Sequence, residues 1–193
     1  MRQKDARQNL IQEGLSSYLD AMVAIDEFAR VIQKDCRSIL DTHVPSFEKA
    51  SGLKFSTKEI SDDSEPYKSR GKTWNGQYGC IGVVLPVKNS DRFHSFDTGL
   101  WWNHENGNRS VCCYSDFYTQ TTSVLDELGT RLDALYPGKF EVDRSWWAVV
   151  LYRENPVRVQ RDYQVGLDKL INEWIDAWER VGGEKGLFAK GRK

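Results

Sequence analysis

The sequence lacks any long apolar run. No segment approaches the roughly 20 apolar residues that a membrane-spanning helix needs. The first five residues, Met-Arg-Gln-Lys-Asp, also lack the apolar core of a signal peptide. We therefore predict a cytoplasmic protein that makes no use of a membrane.

The sequence also lacks an excess of either charge. Its 27 basic and 28 acidic residues leave a formal net charge of −1, so no overall field draws the chain to nucleic acid or to an anionic surface. Only four cysteines are present, and their spacings match neither a zinc site nor a disulfide framework. We expect reduced, packed thiols and no cofactor.

Signatures of catalysis are missing as well. Residues 66–73 fall one residue short of a Walker A loop, but Pro66 replaces its first glycine and no apolar strand precedes it. No serine lies in a nucleophile elbow. The acid-x-Lys triplet of a metal-dependent nuclease is absent, because Lys88 follows Pro86 and Val87. The sequence therefore favours a protein that is not an enzyme.

The clearest feature that is present is a β-hairpin over residues 97–118. Asn106-Gly107 between apolar and aromatic runs is a strong signal for a type I′ turn. Such a turn fixes the strand register, so the numbers of directly opposed residues add up to 213. Trp102 and Val111 then share one face of the hairpin, and Trp101 lies on the other.

The same register places Asp97 opposite Asp116. Directly opposed like charges destabilise a strand pair. We interpret this pairing as a sign of a bulge that breaks the register, a frayed strand end or a bound cation.

A long amphipathic helix is predicted over residues 8–44. Its apolar residues recur at alternating spacings of four and three, which makes a heptad seam. The seam consists of Ile11, Leu15, Tyr18, Met22, Ile25, Ala29, Ile32, Cys36 and Ile39, and the residues that widen it are Leu19, Val23, Phe28 and Leu40. At 1.5 Å per residue the helix spans on the order of 45 Å, so it must kink, project or pack on a partner chain. Pro45 is predicted to end it.

The remaining patterns predict a single α+β domain over 1–181. Strands fill 53–118 and a helix–strand–helix unit fills 119–181. The individual predictions are strands over 53–60, 78–87 and 145–152, helices over 119–136 and 161–181, a mobile loop over 61–72 and a flexible tail over 182–193. In this fold a mostly antiparallel sheet of about five strands packs with the long N-terminal helix and two C-terminal helices.

Adjacent tryptophans predict that both faces of the sheet are covered. Neighbouring residues on a strand point to opposite faces, so one member of each pair Trp101-Trp102 and Trp146-Trp147 points away from the other. We predict the long helix on one face and the later helices on the other. A face left open would be a protein-binding surface, because Trp, Tyr and Arg dominate the energetics of interfaces.

These features favour an interaction module of an accessory, regulatory or inhibitor type. Its predicted partner is another protein or a second copy of the chain, bound through the long helix and an aromatic surface of the sheet. The candidate contact residues are Leu15, Met22, Phe28, Trp101 and Tyr114.

Two alternative functions use other residues. A patch of basic and aromatic side chains would bind nucleic acid or phosphate, and its basic members are Lys68, Arg70, Lys72, Arg153, Arg158 and Arg161. A metal-dependent hydrolase or nuclease would be centred on His94, Asp97 and Asp116.

Overall fold

One antiparallel sheet of six strands organises the structure, a computed structural model that describes residues 2–64, 78–105, 108–144, 148–153 and 160–189. The helices are α1 (Arg2–Ser51), α2 (Thr122–Leu135), α3 (Gln160–Val181) and α4 (Gly183–Leu187). The strands are β1 (Ser61–Ser64), β2 (Tyr78–Pro86), β3 (Phe93–Glu105), β4 (Asn108–Thr119), β5 (Glu141–Asp143) and β6 (Ala148–Arg153). Across the sheet the strands follow the order β1-β2-β3-β4-β6-β5. The predicted α+β class is confirmed.

The β3–β4 hairpin has the predicted register. Every opposed pair from Glu105 and Asn108 to Ser95 and Tyr118 follows it, and the register shifts only between Phe93 and Ser95. The two turn residues themselves lie outside the described part of the chain. The register predicted from the Asn-Gly signal is therefore confirmed for eleven opposed pairs.

All four helices pack on one face of the sheet, here called the helix face. Its central row runs straight across four strands through Leu85, Phe96, Phe117 and Val149, all fully buried. The strand residues of the main core cluster lie on this face only, together with side chains from every helix. The prediction that the later helices cover the second face is wrong. Apolar patterning shows that a helix is buried but not against which face.

Aromatic contacts join the helices to the central row. The ring of Phe47 on α1 meets the ring of Phe96 edge-on, with 4.9 Å between centroids. Trp174 on α3 meets Phe117 at the same centroid distance. The indole N–H of Trp174 also donates a 3.0 Å hydrogen bond to the hydroxyl of Ser115, so its polar atom is satisfied inside the core.

The opposite face carries a row of two glycines and Tyr114. Gly82 opposes Gly99, and Gly99 opposes Tyr114. A Cβ atom on Gly82 would lie 2.8 Å from the hydroxyl oxygen of Tyr114 and 2.3 Å from the carbonyl oxygen of Thr98. The side chain of Tyr114 therefore reaches across the glycine pair, which has no side chains of its own to fill the space.

The long helix differs from the prediction at both ends, since α1 runs from Arg2 to Ser51 with Pro45 inside it. Proline removes one helical hydrogen bond, at a cost of about 3 kcal/mol. The residues around it offset this cost, because Val44, Phe47 and Ala50 are all buried. The helix ends at Ser51. The next residue, Gly52, has a left-handed φ of 75°, and its N–H donates to the carbonyl of Glu48.

The edge of the sheet also differs from the prediction. Residues 53–60 form no strand: Phe55 makes an isolated bridge with Val87 and Thr57–Glu59 form a 3₁₀ helix. The Phe55 ring lies against Phe47 of α1. The edge strand is instead Ser61–Ser64, within the predicted loop. The rest of that loop lies outside the described residues. The three-residue strand β5 was not predicted, since it is too short to show a period.

The predicted flexible tail is wrong over 182–188. Gly182 and Gly183 have φ of 79° and 67°, which turns the chain into α4 and buries Leu187 fully. The Ser90 hydroxyl donates a 2.7 Å hydrogen bond to Glu184. A Cβ on Gly183 would lie 2.8 Å from the carbonyl oxygen of Ser51, so the glycine allows α4 to approach the end of α1.

Candidate interaction surface

The heptad seam of α1 passes from a buried half to an exposed half. From Ala29 onward it packs inside the domain, and Ile32 and Cys36 are fully buried. Toward the N-terminus the same seam is exposed, with Leu15 55% and Tyr18 61% accessible. Along the seam the change falls between Ile25, which is 40% exposed, and Ala29, which is 8% exposed. The sheet and α3 therefore cover one half of a longer apolar stripe.

Residues 12–28 are here called the projecting helix, and their apolar stripe the exposed seam. At 1.5 Å per residue this segment is about 25 Å long. The exposed seam consists of Leu15, Tyr18, Met22 and Ile25, flanked by Leu19 and Phe28. Met22 is half-buried and the other five side chains are exposed. The predicted contact residues Leu15, Met22 and Phe28 therefore lie on one continuous surface.

Charge is arranged around this surface in a regular way. Glu13, Asp20 and Glu27 recur at intervals of seven residues, on the side of the helix that points away from the seam. Only Asp26 adjoins the seam. Residues 8–29 contain no lysine or arginine. The projecting helix therefore has an uncharged apolar front and an acidic back.

Polar contacts fix the base of α1 to the domain. Arg37 donates 3.0 Å and 2.7 Å hydrogen bonds to the carbonyl oxygen of Ile60 and to Asp62. Asp35 accepts hydrogen bonds from the hydroxyl of Tyr163 and, at 2.7 Å, from the amide of Gln164. Burial and the neighbouring Asp35 carboxylate raise the pKa of Tyr163, so its hydroxyl stays a donor. These contacts hold the direction in which the helix leaves the domain.

The cysteines take no part in this surface. No disulfide joins the four cysteines, all of which lie in the described ranges, and burial raises the pKa of the Cys36 thiol to about 12. Cys36 is therefore a packing residue of the buried seam.

The two aromatic residues predicted as contacts lie elsewhere. Tyr114 is 5% exposed, against the glycine pair of the opposite face. Trp101 on the same face is half-buried. Tyr114 therefore does not belong to an exposed aromatic surface, and the sequence prediction is corrected at this residue. Alternation along a strand gives the face of a side chain but not its accessibility.

The predicted basic patch is not brought together in the described part of the chain. Lys68, Arg70, Lys72 and Arg158 lie outside the described residues. Arg153 ends β6 and Arg161 lies in the first turn of α3, where only their backbone is described. The alternative of nucleic-acid or phosphate binding gains no geometric support.

The three predicted metal residues occupy two different parts of the ladder, with His94 at the register shift and the two aspartates in the regular part. Asp97 and Asp116 oppose each other in register and are 5% and 7% exposed, so neither a bulge nor a frayed end lies between them. His94 lies at the register shift, is exposed, and has its ring nitrogen Nδ1 3.3 Å from the amide of Gln120. Among the described residues, no three His, Cys, Asp or Glu side chains lie close enough to hold a metal.

Sequence reasoning missed a shallow groove of about 430 Å³ beside α1. Its basic residues Arg30, Lys34 and Arg37 recur at helical spacing, and Arg37 is paired with Asp62. The spacing of four and three was visible in the sequence, but the acidic partner from β1 was not. The groove begins where the projecting helix ends.

No helix in the described ranges is long and apolar enough to cross a membrane. Comparison with protein-family models, curated proteins and solved structures finds no match to this chain.

Proposed function

We propose that the protein is a non-enzymatic interaction module that binds another protein chain through the exposed seam of α1. The observation that carries this proposal is the continuity of the seam. The same apolar stripe is buried from Ala29 onward and exposed from Phe28 toward the N-terminus.

The proposal is supported by the cost of leaving the exposed seam in water. A solvated helix of about 17 residues is only marginally stable by itself, because most helical stability in proteins comes from packing an apolar face. Burying six half-exposed apolar side chains would contribute roughly 1 kcal/mol each. This contribution already exceeds the lower estimates of the cost of association, about 4 kcal/mol, and a partner with a similar stripe would double it.

The proposal also fits the anchoring of the helix. Because Arg37 and Asp35 hold the base of α1, a partner would meet the seam in a fixed orientation. Preorganisation of this kind lowers the entropic cost of binding. We therefore assign the binding role to the helix and not to the aromatic surface of the sheet.

The test is native mass spectrometry of the protein purified gently from its own cells, compared with Leu15→Lys. The wild type is expected to carry a second chain, of its own mass or another, at a defined stoichiometry. The variant is expected to lose it. Ser17→Lys is the matched control, because Ser17 is an exposed residue of the projecting helix that belongs neither to the seam nor to the residues that widen it. Equal partner occupancy in wild type and Leu15→Lys would refute the proposal.

A further inference from the structure

We infer that the chain that occupies the exposed seam is a second copy of this protein, bound antiparallel. The inference rests on the proposed function, since it names the partner of the same surface. In this dimer the two sheets lie at opposite ends of a central helix pair.

The first argument is that the seam is complementary to itself. A copy of the projecting helix presents the same uncharged apolar front, and the carboxylates of Glu13, Asp20 and Glu27 lie on the far side of each helix. Pairing two copies therefore brings only Asp26 near the interface. A basic amphipathic partner would instead require acidic residues beside the seam, where this helix has Leu19 and Phe28.

The second argument is steric and decides the orientation. From Ala29 onward the domain covers the seam side of α1. In a parallel pair the partner helix must lie on that same side at every level, including that of Ile32 and Cys36, where the side chains are fully buried by the protein's own core. A parallel partner would therefore collide with the sheet and α3. An antiparallel partner avoids this collision because it places its own domain at the other end of the exposed seam, away from the half that is covered from Ala29 onward.

Sedimentation of the purified protein tests the self-association. We expect a reversible monomer–dimer equilibrium with a Kd on the order of micromolar, since the seam is short. Leu15→Lys is expected to weaken it at least about tenfold, and Ser17→Lys to leave it unchanged. A wild-type monomer at about 100 µM would overturn the inference. If the protein from cells then still carries a different chain that Leu15→Lys removes, the proposed function stands and only the identity of the partner is wrong.

Spin-label distances test the orientation, in a Cys80→Ser background. Labels are placed singly at Glu13→Cys, Asp20→Cys and Glu27→Cys, all on the acidic back of the helix. In an antiparallel pair the axial offset between the two copies of a labelled position changes by about 3 Å for each residue along the helix. The three distances are therefore expected not to be all equal. Equal distances at all three positions would show a parallel pair and overturn the orientation.

Discussion

Tyr136 donates a 2.5 Å hydrogen bond to the carboxylate of Asp176, and so joins the end of α2 to α3. Partial burial and the nearby Asp176 raise the pKa of Tyr136 to about 12. The same hydrogen bond lowers the pKa of Asp176, with support from Arg180. The contribution of this hydrogen bond to stability therefore depends on pH in both the alkaline and the acidic range.

At high pH we expect this pair to lose its contribution to stability. The folded pKa of Tyr136 lies above its ordinary value of about 10, so the contribution is present below pH 10 and is lost as the pH rises toward 12. Tyr136→Phe removes the titrating group. The measurement is the urea-unfolding free energy of wild type minus that of the variant, which should fall across this window. A difference that stays constant with pH would contradict the assignment.

At low pH the sign is reversed. The folded pKa of Asp176 is lower than its ordinary value of about 4, so its contribution is present above that value and is lost as the pH falls through the folded pKa. Asp176→Asn should therefore show its largest destabilisation near neutral pH and a smaller one in acid. Thermal melts of the variant and wild type between neutral and acidic pH measure this convergence.

Two glycine-to-alanine variants should have opposite effects. Gly82→Ala places a methyl group against the backbone carbonyl of Thr98 and the hydroxyl of Tyr114, so we expect a destabilisation of about 2 kcal/mol or more. In Gly14→Ala the new methyl group meets nothing within 4 Å on the projecting helix. Because alanine favours the helix over glycine by about 1 kcal/mol, the helix content should rise. Circular dichroism and urea unfolding measure both. A neutral Gly82→Ala would show that Tyr114 does not lie against the glycine pair.

The C-terminal helix should contribute to the stability of the whole domain. Leu187 is fully buried, so Leu187→Ala is expected to cost about 2–5 kcal/mol. Lys185→Ala, two residues away and exposed, is the matched control and should change the unfolding free energy by less than about 0.5 kcal/mol. Equal stability of the two variants would mean that α4 is not docked.

Local sequence rules predicted the elements whose signals are local. The Asn106-Gly107 signal predicted the register that β3 and β4 have, and the spacing of Leu167, Leu170 and Trp174 predicted the buried face of α3. In both cases the residues that carry the signal are close in sequence, so the pattern can be read without the tertiary structure.

The missed features depend on contacts that are distant in sequence. Pro45 remains inside α1 because Phe47 packs against the sheet. Gly182 and Gly183 suggested flexibility, but here they supply the left-handed turn that brings α4 to Ser51. The heptad seam was visible as a pattern, but its division into a buried and an exposed half depends on where the sheet ends. For this reason the sequence predicted the apolar seam of the helix but not the residue at which the seam passes from buried to exposed.

The absence of a break in α1 has a mechanical consequence. Because one continuous helix includes both Leu15 in the exposed seam and Phe47 under the sheet, the N-terminal segment behaves as a lever arm with its pivot inside the hydrophobic core. A partner that tilts the outer end must therefore either rotate the whole domain with it or disturb the ring contacts of Phe47. A force on the N-terminal end of α1 therefore acts on the aromatic rings around Phe47 in the core.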